Sequence, residues 1–252
     1  MGAPALADIV KHTTVNTNAG GTVTEITEMV ADDNGNMRIE IYRADASGDR
    51  GALDSYIVFQ AAERKMLTSS GGMCQALDLT GEELPGGISR DEMAAAQAEM
   101  ARALEQMRAE NPEMAKMLEA QMGTSMAAMM GGDAPTIEIV ETGEERTIEG
   151  YDTTGFRVNG MPGVGNYTVW AAEVDDVEGG RTMARASQGM MQAHKQMMEN
   201  MGIAEMVGAN AFNEILDAMD DYYPIESGDG STTTRLVSTD GNGSTDFNPT
   251  CN

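Results

Sequence analysis

Few residues in this 252-residue chain have the types and spacing to do chemistry. The densest set is Met190-Met-Gln-Ala-His194-Lys-Gln-Met-Met198, where methionines stand three and four residues either side of a histidine. On a helix, Met190, His194 and Met198 share one face. Two thioethers and an imidazole form the soft donor set that suits Cu(I), although the same positions would also serve a helix-packing face. His12 is the other histidine of the two, so a Ser-His-Asp triad or a multi-histidine metal site has almost nothing to work with. Gly20-Gly21 and Gly71-Gly72 lack the strand, lysine and helix context of phosphate loops. Asp plus Glu number 41, but a catalytic pair needs a cleft and separated pKa values, and abundance alone selects no pair. These residues predict a protein without enzymatic activity and without a resident cofactor, Cu(I) being the alternative.

The elements that would carry these residues show a pattern of their own. Met93, Met100, Met107 and Met114 recur seven residues apart, with Leu104 and Leu118 between them, which makes one apolar stripe on a helix. The stretch from Ser89 to Met130 holds nine methionines and the stretch from Met183 to Met219 holds eight, so nine plus eight, 17, of the 23 lie in two segments. Ser89-Arg-Asp-Glu92 is a capping box, with Ile88 and Met93 placed as a hydrophobic staple. Asn111-Pro112 supplies a second N-cap and N1 proline, so one helix is predicted to end near Glu110 and another to run from Pro112 to about Met130. A further helical pattern runs from Gly180 to about Asp220.

Between and before these segments the vocabulary is that of strands. Thr22 to Val30, Met37 to Tyr42, Tyr56 to Phe59 and Lys65 to Thr68 are predicted strands, with Asn34-Gly35 as a hairpin turn. Thr136 to Glu141, Arg146 to Ile148, Thr154 to Val158, Tyr167 to Ala171, Tyr222 to Ile225 and Thr232 to Ser238 continue the series. Strand runs broken by helices without regular βαβ alternation predict an α+β protein on an antiparallel sheet.

Composition sets the surroundings. A net charge of −25 repels nucleic acid and anionic headgroups. No run of 18 apolar residues exists, so stable membrane insertion is not expected. Ala5-Leu6-Ala7 before Asp8 has the small-residue pattern of a signal-peptide end, which predicts a periplasmic or otherwise exported protein. Residues 1–7 would be that remnant, 8–247 a single domain and 248–252 a flexible tail. Cys74 and Cys251 could form one disulfide in an oxidising compartment.

The run Asn36-Met-Arg-Ile-Glu40, Arg64-Lys-Met66, the Met/Ala/Glu segment, Glu141-Thr-Gly-Glu-Glu-Arg-Thr-Ile-Glu-Gly-Tyr151, Gly155-Phe-Arg-Val158 and Val169-Trp-Ala-Ala-Glu173 resembles a methionine-rich bacterial family, domain-of-unknown-function family 4412. That family is similar to the lipoprotein-carrier superfamily of LolA and LolB. The resemblance spans roughly Thr22 to Phe247. It implies a curved antiparallel half-barrel sheet covered by Met-rich helices, with an apolar hollow that holds a lipid-like ligand. Met93, Met100, Leu104, Met107 and Met114, with Phe156 and Trp170 from the sheet, are then the expected lining, because flexible thioether side chains adapt to acyl chains of varied shape.

Overall fold

The computed structural model describes residues 9–80, 137–161, 165–200, 220–241 and 245–247, with isolated positions 95, 98, 99, 102, 217 and 249. Six strands follow one another as an antiparallel meander: β1 (Ile9–Asn18), β2 (Val23–Asp32), β3 (Met37–Ala44), β4 (Arg50–Gln60), β5 (Lys65–Ser70) and β6 (Met73–Asp78). Five more come from the second half: β7 (Glu138–Ile148), β8 (Tyr151–Met161), β9 (Gly165–Glu173), β10 (Tyr222–Gly228) and β11 (Thr232–Asp240). Between β9 and β10 lie a 3₁₀ turn, Val174–Asp176, and the helix α1 (Gly180–Asn200). Strand β11 pairs with β1, which joins both halves into one eleven-stranded antiparallel sheet in the order β6-β5-β4-β3-β2-β1-β11-β10-β9-β8-β7.

The helix-covered α+β half-barrel expected from the sequence is therefore corrected to a sheet-dominated fold with one continuous described helix. Two physical facts account for the difference. The β1–β11 seam merges two strand runs into one surface, and ten interstrand spacings make that surface roughly 48 Å wide. A helix of 21 residues is only ~32 Å long, so α1 covers part of one face. Strand content also exceeds expectation. Strand β4 begins at Arg50, well before the predicted start at Tyr56, and β6 lies where the sequence predicts no strand. The two short predicted strands at 136–141 and 146–148 are one strand, β7, with an irregularity between Glu141 and Glu145. Of the expected helix after Ser89, positions Ala95, Ala98, Glu99 and Arg102 are helical and exposed, and the remainder lies outside the described residues. No described helix is long and apolar enough to cross a membrane.

Alternation decides which residues meet α1. Along β3, Met37, Ile39 and Ile41 point to the helix-bearing face while Arg38, Glu40 and Tyr42 point away. Register then lines up Val10, Ala31, Met37, Phe59, Met66 and Leu77 as successive cross-strand partners from β1 to β6. The first four are buried, with Ala31 and Met37 no more than 1% exposed. Leu236, Ile225, Ala172 and Ile148 carry the same core across β11, β10, β9 and β7. Each large side chain so buried contributes about 1.5–3 kcal/mol.

On α1 the packing stripe is Met183, Ala186, Met190, Ala193 and Met197. Its methionines repeat at seven residues, as the Met93 to Met114 series does. Ser187 Oγ lies 3.9 Å from Met37 Sδ, Thr182 donates to Asp33 at 3.0 Å, and Arg64 donates to Gln196 at 2.7 Å. The helix thus crosses the sheet at the end that carries the β2–β3 and β4–β5 turns.

Candidate functional site

Away from α1 the helix-bearing face grades from buried to half-buried, and to exposed at its β5–β6 edge. The next cross-strand row is His12, Met29, Ile39, Ile57, Thr68 and Gln75. Met29, Ile39 and Ile57 are half-buried, and Met29 and Ile39 pack against the main core. Beyond them comes Thr14, Thr27, Ile41, Ser55, Ser70 and Met73, a mostly hydroxyl-bearing row ending in a methionine that is 74% exposed. The middle row is an apolar step, flanked by the helix on one side and hydroxyls on the other. Such a step can hold an apolar chain and leave a polar end at the hydroxyl row.

The expected lining distributes unevenly over this molecule. Met93, Met100, Leu104, Met107 and Met114 lie outside the described residues. Phe156 and Trp170 are described, but the structure does not bring them together. Trp170 pairs with Gly155 and Phe156 with Val169, and Gly155 and Phe156, being consecutive, face opposite sides of the sheet. Trp170 packs against the main core and lies on Gly155, where an added Cβ would stand 3.0 Å from the indole. The Arg146 guanidinium covers its ring at 3.8 Å and is itself held by Glu226. Phe156 instead meets Tyr222 edge-on at 4.9 Å, near a second apolar cluster built on Ile137 and Val158. Two grooves lined by described residues are polar. One, of about 590 Å³, runs beside α1 past Gln188, Gln192, Lys195 and Glu199, and the other, of about 470 Å³, lies by Glu145, Asp152, Glu173 and Tyr222.

The candidate Cu(I) ligands do fall on one helix, but two of them have packing roles. Met190 contributes to the interface with the sheet, Met198 is only 5% exposed, and His194 is half-buried. Among the described residues, no three His, Cys, Asp or Glu side chains converge as a metal site. Cys74 is disulfide-bonded, and the chain's other cysteine, Cys251, lies outside the described residues.

Two polar constellations escaped sequence reasoning. The first is on the face away from α1, where Glu28 and Glu40 are cross-strand partners. Lys11 reaches Glu28 at 2.9 Å, and Arg50 donates to both of its carboxylate oxygens at 3.0 and 3.1 Å. Arg38 donates to Glu40 at 2.7 Å, and the Tyr42 hydroxyl donates to it at 2.6 Å. Arg50 also lies 3.8 Å over the Tyr42 ring. Burial works against ionised Glu40, yet the bonds from Tyr42 and Arg38 hold its carboxyl below the usual range. Burial and the Glu40 carboxylate push the Tyr42 phenol up to about 12. Each carboxylate is matched by cations, so the pair is a stabilising lattice with no separated acid and base. Only register could have revealed it, since Lys11, Glu28, Glu40 and Arg50 are scattered over four strands.

The second is His12, which is fully buried. Its Nε2 lies 2.7 Å from the Glu178 carbonyl and its Nδ1 2.8 Å from the Tyr223 hydroxyl. A carbonyl only accepts, so Nε2 carries the proton and Nδ1 of the neutral ring accepts from Tyr223. Burial holds the imidazole below its usual pKa, against the opposing pull of the Glu178 carbonyl and carboxylate. Nothing in the local sequence Val10-Lys-His-Thr13 marks this residue as a tertiary anchor.

No family model and no curated protein matches this chain. Among solved structures it is similar to PNGF-II, determined in the C2 space group, at 8% identity with a TM-score of 0.40. That alignment covers 95% of this chain and 29% of the other, so the chain spans less than a third of its neighbour's length.

Proposed function

We propose that this is an exported, non-enzymatic binding or carrier protein for an apolar, lipid-like ligand, taken on the helix-bearing face of its sheet. The observation that carries the reading is the apolar step beside α1. Met29, Ile39 and Ile57 continue the buried row by one residue pair along the strands yet stay half-buried. A methionine and alanine helix face borders them, and thioethers repack at small cost around chains of different shape. The resemblance to the lipoprotein-carrier superfamily implies a carrier role. The bridged Cys74 supports an oxidising compartment, where such bonds persist. Net charge of −25 favours neutral or zwitterionic ligands over anionic ones.

Native mass spectrometry of protein purified from its own envelope tests this reading, together with thermal melts in lysophosphatidylcholine and in a neutral monoacylglycerol. Bound lipid and a rise in Tm are expected, equivalent to about 2.7 kcal/mol at a hundredfold excess over Kd. Ile39→Asp, which puts a charge on the step, should remove the rise while the variant stays folded. A protein that carries no lipid and melts at one temperature in every single-chain lipid would overturn the proposal.

A further inference from the structure

The one continuous described helix is attached to the sheet through an unusual root. After the 3₁₀ turn the chain passes through Val177, Glu178 and Gly179 before α1 begins at Gly180. Val174 and Val177 are buried, and Gly179 has φ +67 with its Cα so close to Val10 that an added Cβ would lie 2.4 Å from Val10 Cγ1. Met183 N donates to the Gly179 carbonyl at 3.0 Å and Gly180 N to the Val177 carbonyl at 2.8 Å, so the first turn of α1 continues directly from this root. His12, two residues from Val10 on the same face, closes the arrangement. It receives the root through the Glu178 carbonyl and is backed by Tyr223, whose ring meets it edge-on at 5.0 Å and 86°.

We propose that His12, the Glu178 carbonyl and the Tyr223 hydroxyl form an acid-sensitive latch that fixes the root of α1 on the sheet and releases the helix when the imidazole is protonated. Its geometry requires a neutral ring. A proton on Nδ1 would turn the accepting nitrogen into a donor, forcing the Tyr223 hydroxyl to give up its donation and find another acceptor inside the core. It would also place a full charge where no water reaches.

The groups facing His12 do not offset that cost. Its cross-strand partners are Met29 on β2 and Thr239 on β11, both uncharged. From β10 comes Tyr223, whose phenol burial pushes well above its ordinary value, with Tyr151 of β8 adding to the same effect. The Glu178 carboxylate favours the imidazolium, but Thr239 donates to it and burial outweighs it. Lys11 points to the other face, toward Glu28.

The sign follows from linkage. The folded imidazole binds a proton less readily than the unfolded one, so the latch is fully engaged above the ordinary imidazole pKa and weakens as pH falls below it. The chain has two histidines, so the control is clean. The latch stands independently of what the sheet face binds.

Amide hydrogen exchange between about pH 7.5 and about pH 5, which bracket the free imidazole pKa, tests it. After correction for intrinsic exchange, α1 amides should lose protection relative to the β2–β4 amides, by up to ~10-fold per pH unit. His194→Gln should behave like wild type. His12→Gln, whose amide can donate to Glu178 and accept from Tyr223, should lose the pH dependence. Retention of the full acid response in His12→Gln, or equal protection of α1 and the sheet at both pH values, would overturn the latch. Should His12→Gln not fold, NMR titration of wild-type His12 decides instead. Imidazole and α1 amide shifts that move together support the latch, and an imidazole that titrates while α1 stays unchanged refutes it.

Discussion

Gly179→Ala should destabilise the protein for two separable reasons. The first is backbone strain, since φ +67 is a left-handed conformation that costs an L-residue with a Cβ about 1–2 kcal/mol. The second is overpacking. The new methyl would lie 2.4 Å from Val10 Cγ1, 2.7 Å from Val10 Cβ and 3.1 Å from Val10 Cγ2, and Val10 belongs to the main core, so the clash cannot be turned out to solvent. Inserting a methyl into a packed site of this kind costs about 1–3 kcal/mol. The two together give about 2–5 kcal/mol. Val10→Ala removes two of the three clashing atoms. Alone it should cost about 1.6 kcal/mol for its two methyl groups, with a cavity cost in addition. Combined with Gly179→Ala it should cost less than the sum of the single changes, by about 1–2 kcal/mol, because strain remains while most of the overlap goes. Urea denaturation followed by far-UV circular dichroism and by fluorescence of Trp170, the chain's single tryptophan, measures all four corners of the cycle. A Gly179→Ala protein as stable as wild type, or a strictly additive double variant, would refute the packing argument.

Other perturbations probe the rest of the fold. Arg50→Ala should cost about 1–2 kcal/mol in urea melts, since Glu28 loses the Nη1 donor that reaches both its oxygens but keeps Lys11. Arg50→Lys should recover only part of this, because an ammonium cannot bridge Glu28 and the Tyr42 hydroxyl through two nitrogens or stack on the Tyr42 ring. Cys74→Ser, or reduction of the wild-type protein, should lower stability by up to ~5 kcal/mol in the chain-entropy limit, seen as a lower urea midpoint; an unchanged midpoint would show that the bridge constrains little. Glu40, with its carboxyl held below the usual range, contributes stability that is present above the ordinary carboxylate pKa and is lost as pH falls through its depressed folded value. The urea midpoints of wild type and Glu40→Gln should therefore converge in acid, and parallel curves would remove this role. Ultraviolet titration should find Tyr42 ionising near 12, well after an exposed tyrosine.

Several strands could be read in the chain because their cause is local. Met37, Ile39 and Ile41 alternate with polar residues, and Asn34-Gly35 supplies the turn, with Gly35 at φ +81. Asp32 completes that turn by accepting from the Asn34 and Asn36 amides, a role its position before Asn-Gly anticipates. Strand β6 was harder to see, for Met73-Cys-Gln-Ala-Leu-Asp78 places exposed residues on both faces and borders the sheet on one side only. The apolar step could not be read either. Met29, Ile39 and Ile57 form a row only after three strands are set in register, and α1 covers the neighbouring row rather than theirs.

By itself the sequence determined the alternation of strands such as β3, the Asn34-Gly35 turn, the helix from Gly180 as far as it is described, to Asn200, the acidic composition and the scarcity of histidine, all of which are local or compositional. Only the tertiary structure decided that β11 closes onto β1 to make one broad sheet, and that Phe156 and Trp170 stand on opposite sides of it. The same is true of Met190, drawn into helix packing, and of His12, which holds a helix root 166 residues away through Glu178. These are consequences of long-range register, where a shift of a single residue would send each side chain to the other face, and no short stretch of sequence encodes that choice.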